Sequence, residues 1–100
     1  MKIYLPFAFS QNLRIFLQRA GYSEFVDPNT GNSSHTLRLS RDYYPRFHLY
    51  VAQDQDNRTF LNLHLDQKKP SYEGSSAHSG DYDGSAVERE IGRIKGLIGL

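Results

Sequence analysis

Residues 46–66 read RFHLYVAQDQDNRTFLNLHLD, and the alternation in this stretch decides the fold. Phe47, Leu49 and Val51 fall on one side while His48 and Tyr50 fall on the other. Beyond the polar tetrad 54–57, Leu61, Leu63 and Leu65 oppose Phe60, Asn62, His64 and Asp66. Period-two alternation marks a sheet buried on one face only. The tetrad suits a hairpin loop joining strands 46–53 and 58–66. Working outward, 35–41 alternates in the same way, with Leu37 and Leu39 against Arg38 and Ser40. A weaker strand at 22–26 ends in the turn-forming cluster Asp27-Pro28-Asn29-Thr30-Gly31.

Helical patterns flank these strands. Ser10 is placed to accept first-turn amide hydrogens, and Leu13, Phe16, Leu17 and Ala20 recur at helical spacing before Gly21, so a helix is expected over 11–20. Ser85-Ala86-Val87-Glu88 reads as a capping box, and Val87, Ile91, Ile94 and Ile98 continue as the stripe of a helix over 86–98. Two apolar helical stripes and one apolar sheet face predict an α+β two-layer sandwich. In it an antiparallel sheet of three or four strands carries the N-terminal and C-terminal helices on one face. The other face is then left to water or to a partner.

One hundred residues make a single domain, 1–100. Leu, Ile, Val and Phe number 25, above the range of disordered chains. The absence of cysteine excludes disulfides, thiolate metal sites and cysteine nucleophiles. The apolar run Ile3–Phe9 is interrupted by Pro6 and is too short for a signal peptide or a membrane span. No membrane association and a cytoplasmic location are expected. A net charge of +1 gives no global argument for a polyanionic partner.

Between the last strand and the last helix, 67–84 forms a long polar loop without periodicity, a length usually functional or disordered. It carries Lys68, Lys69, Tyr72 and His78. His64 and Asp66 project from one face of their strand, the hairpin brings His48 to that face, and the loop is long enough to return His78 over it. His64, Asp66 and His78 are thus candidate ligands for zinc or another divalent metal, which the fold itself does not require. The same groups offer a metal-free alternative. In it His48, His64 and His78 act as general acid and base, and Lys68 stabilises an anion. The plainest alternative is a set of solvent-facing histidines with Asp66 ending the strand. Asp81, Asp83, Gly84 and Glu90 match part of a calcium-loop spacing, but Ser79 stands where the first aspartate belongs.

Arg38, Arg46, His48, Tyr50, Asn62 and His64, with Lys68, Lys69 and Tyr72 from the loop, form a candidate binding face. Rings on a sheet flanked by arginines suit single-stranded nucleic acid, and the same surface suits a protein partner. Residues 1–70 hold nine Lys or Arg against six Asp or Glu, a bias too small to choose nucleic acid. A homodimer closing that face on itself is a third arrangement.

The segments Asn62–Tyr72 and Ala77–Gly84 resemble part of a group of short uncharacterised bacterial proteins. The resemblance covers about a quarter of the chain and implies no fold, activity or ligand. The leading expectation is a non-catalytic module that binds a macromolecule through the polar face and the 67–84 loop. The alternative is a small histidine-based or metal-dependent hydrolase centred on His48, His64, Asp66 and His78.

Overall fold

Alternating side chains commit each strand of this chain to two different environments, and the pairing register keeps those environments apart. The computed structural model describes residues 1–67, 80–81 and 84–100, the pair 80–81 through its backbone alone. The elements run β1 (Lys2–Tyr4), α1 (Leu13–Arg19), β2 (Ser23–Val26), β3 (Ser33–Arg38), β4 (Arg46–Gln53), β5 (Thr59–Asp66), β6 (Gly80–Asp81) and α2 (Ser85–Ile98). The fold is α+β with an open antiparallel sheet and two helices. Strand order is β1-β5-β4-β3-β2, and β6 also pairs with β5.

The expected hairpin forms over 46–66, pairing Arg46 with Asp66, His48 with His64 and Leu49 with Leu63. The sheet exceeds the expected three or four strands because β1 lines up along β5, pairing Ile3 with Leu61. β3 begins at Ser33 and ends at Arg38, so Leu39 leaves the strand and is about half exposed.

Helix boundaries shift with their caps. The α1 cap is Asn12, whose side chain accepts the Ile15 N–H at 3.1 Å, rather than Ser10. α2 starts at Ser85 behind Gly84 and has no side-chain cap, so the expected Ser85–Glu88 capping box does not form. Ser85 is already inside the first turn, where its hydroxyl no longer occupies the capping position. Gly21 follows α1 with φ +104°, a left-handed conformation that favours glycine.

Ile3, Leu61, Leu63, Leu65, Phe47 and Leu49 from the sheet join Phe16 and Leu17 of α1 and Val87, Ile91 and Ile94 of α2 in one hydrophobic cluster. Each fully buried side chain of this size contributes about 1.5–3 kcal/mol relative to exposure. Within this layer the buried Glu90 carboxylate accepts the Tyr22 hydroxyl at 2.6 Å and two Arg93 N–H bonds at 2.7 Å. Arg93 Nη2 also donates to the Ala20 carbonyl at 3.0 Å, tying α2 to the end of α1. Glu90 is thereby committed to the core side, which removes it from the partial calcium-loop spacing. No helix among the described residues is long and apolar enough to cross a membrane.

Burial, then the Glu90 hydrogen bond and charge, push the Tyr22 phenol above its ordinary range. A raised folded-state pKa contributes stability below the unfolded value of about 10, and that contribution is lost as pH rises above it. Tyr22→Phe is expected to cost about 1.5–3 kcal/mol at neutral pH, because it removes a hydrogen bond to a charged group. Urea melts between pH 7 and pH 11 check both effects: the gap between wild type and variant narrows at alkaline pH.

Candidate metal centre

The polar face follows directly from the register. Residues opposite one another across antiparallel strands share a face, so Asp66, Arg46 and Arg38 form one row and His64, His48 and Thr36 the next. Two residues along β5 and β4 lie Asn62 and Tyr50, also paired.

Asp66 gathers this face. Its Oδ2 lies 2.9 Å from His48 Nδ1 and accepts Arg46 Nε–H at 3.1 Å, while Oδ1 lies 2.7 Å from His64 Nε2. Burial works against the Asp66 carboxylate, but hydrogen bonds from His48 and His64 and their nearby charge outweigh it. The carboxyl is held well below the usual carboxylate range. On the far side of the His48 ring, Nε2 lies 2.6 Å from Ser34 Oγ. Tyr50 stacks on both imidazoles, its centroid 4.5 Å from that of His48 and 5.4 Å from that of His64. The Phe25 ring meets His48 edge-on at 6.1 Å. The Arg46 guanidinium lies 4.3 Å from the Tyr43 centroid and 5.2 Å from that of Tyr44, a cation–π enclosure.

The expected open face is therefore open only in part. Arg46, His48 and His64 are 6–7% exposed and Ser34 is 4% exposed. The carboxylate draws them together and the rings stack on them, so they present little surface for a base to stack upon. Arg38 and Tyr50 remain exposed, Asn62 is half-buried, and Phe60 is buried beneath the Lys2 ammonium. Lys68, Lys69, Tyr72, His78 and Asp83 lie outside the described residues. The fourth histidine, His35, pairs with Leu49 and so belongs to the face of the sheet that carries Leu49, apart from this cluster.

His48, His64 and Asp66 bring one ligand atom each to within 4.8 Å of one another, and all three residues are largely buried. Two imidazoles and a carboxylate are donors suited to zinc and neighbouring divalent ions. Ser34, His48 and Asp66 also repeat the hydrogen-bond order of a serine hydrolase. A nucleophilic serine, however, needs N–H donors aimed at a developing oxyanion. Ser34 is buried within β3, and its backbone pairs with Phe25 in the ladder. That reading also leaves His64 without a role. Ser34 was not marked in the sequence, because the alternating pattern begins only at His35 and the contact crosses from β3 to β4.

No family model matches the chain, and neither a curated protein nor a solved structure matches it. This agrees with a resemblance that carries no functional implication.

Removing the carboxylate leaves a buried guanidinium without its anion. Asp66→Ala is expected to destabilise the domain by about 3–5 kcal/mol, as when one member of a buried pair is deleted. Equilibrium urea unfolding of wild type and variant without added metal measures it.

Proposed function

We propose that this domain is a divalent-metal site of the zinc class, held by His48, His64 and Asp66, and that it serves hydrolytic chemistry. The supporting observation is the convergence of three donor atoms within 4.8 Å in a largely buried setting. Three protein ligands leave a coordination position for water, the pattern of catalytic rather than structural zinc. The metal, when bound, lowers the pKa of that water toward neutrality and makes it a nucleophile. Asp66 supplies an anion that is already ionised, and Arg46 Nε–H, donating to Oδ2 at 3.1 Å, helps to orient the carboxylate.

The reading takes α1 and α2 to lie together on the other face of the sheet, as a two-layer sandwich. Their shared hydrophobic cluster supports that arrangement. A cytoplasmic location goes with it as an expectation of the cysteine-free composition. A second reading, a macromolecule-binding module, draws on the exposed Arg38 and Tyr50 beside the cluster. The burial of Arg46, His48 and His64 weighs against it, because these groups are turned to Asp66.

Isothermal titration of the metal-free protein with zinc tests the proposal. One equivalent is expected to bind wild type and His35→Ala alike, and no stoichiometric binding is expected for His64→Ala. A wild type that binds no zinc, or a His64→Ala protein that binds it unchanged, overturns the metal site.

A further inference from the structure

Ser34 contributes no atom to the ligand set, yet its hydroxyl makes a 2.6 Å contact with the one ring nitrogen of His48 that faces away from Asp66. We infer that Ser34 is the positioning residue that fixes the His48 tautomer for metal binding, an assignment that rests on the metal reading above. A neutral imidazole carries one N–H, and a metal takes the nitrogen that lacks it. With His48 Nδ1 turned to the ligand set, the proton belongs on Nε2, which then needs a buried acceptor. Ser34 Oγ stands at that place, on β3, the strand next to the one that bears His48.

A hydroxyl suits the position because it donates or accepts by rotating its own hydrogen. Without metal, the assignment places the single proton of neutral His48 on Nδ1, which faces Asp66 Oδ2 across 2.9 Å, and has Nε2 accept the Ser34 O–H across their 2.6 Å contact. With metal, the proton resides on Nε2 and Ser34 Oγ accepts it. The heavy atoms of Ser34 and His48 keep their contact in both states, so loading the site leaves neither ring nitrogen of His48 without a partner. Alanine at this position removes the acceptor, and among the described residues no other side chain hydrogen-bonds His48 Nε2. Outer-shell partners of metal-bound histidines typically account for about 10–100-fold in affinity.

The test combines zinc titration with long-range proton–nitrogen NMR of the histidine rings, on wild type, Ser34→Ala and Ser34→Thr. Zinc is expected to convert wild-type His48 from the Nδ1–H to the Nε2–H form. Ser34→Ala is expected to lose about 10–100-fold in zinc affinity, and Ser34→Thr to restore it to within a few-fold of wild type. Zinc bound by wild type with His48 still protonated at Nδ1 overturns the assignment without reference to any variant. So does a Ser34→Ala protein that binds zinc as tightly as wild type. A wild type that binds no zinc overturns the metal reading itself, and the role of Ser34 with it.

Discussion

The Asp66 carboxylate is the point on which the polar side of this domain depends. Burial alone would drive it toward the neutral acid. It stays ionised because Arg46, His48 and His64 bring polar hydrogens to its two oxygens. The partners come from two adjacent rows of the sheet, one across from Asp66 on β4 and one a residue pair further along. The same register buries Leu61, Leu63 and Leu65. A one-residue slip would turn the leucines outward and the cluster inward. Core and site are therefore specified by one pairing, and neither can be re-registered alone.

Among the described residues a second buried carboxylate, Glu90, lies on α2. Glu90 is bonded by Tyr22 and Arg93 as Asp66 is by the histidines and Arg46. The two differ in what their partners do. Tyr22 and Arg93 join α2 to the segment that follows α1, through contacts that include the Ala20 carbonyl. The partners of Asp66 all sit on the central pair of strands and converge on a single carboxylate. The first arrangement fastens elements to one another, while the second concentrates donor atoms, which is why only the second reads as a site.

Much of this was legible in the chain because alternation reports facing directly. The hairpin loop and the alternation around Leu49 and Leu63 placed His48 and His64 on one face with Asp66, and they are cross-strand neighbours. β1 was not legible: three residues before Pro6 are too few to alternate, and their partners lie some sixty positions away. The α1 cap falls on Asn12 and not on the expected Ser10 because both are good cap residues, and the choice depends on where the first turn meets the core. The partial burial of the polar face was beyond any one-strand pattern. Period two distinguishes faces but does not say that a face rich in His, Arg and Tyr can close upon its own carboxylate. Ser34 was missed for a related reason: its significance is a contact to β4, invisible in the run Asn32-Ser33-Ser34.

The pairing of β1 with the middle of β5 bears on how the chain assembles. Lys2–Tyr4 have no strand to join until residues 60–62 exist and have paired with β4. During synthesis β1 must therefore wait, while the β4–β5 hairpin, with its short loop, forms as soon as both arms are free. Contacts of such long sequence separation are slow to form, since the loop they close must be ordered first. Until then the edge of β5 opposite β4 stays unpaired along 60–62, with Leu61 and its neighbours beside it. The interval between completing the hairpin and docking the first strand is when a nascent copy is most open to strand exchange with another.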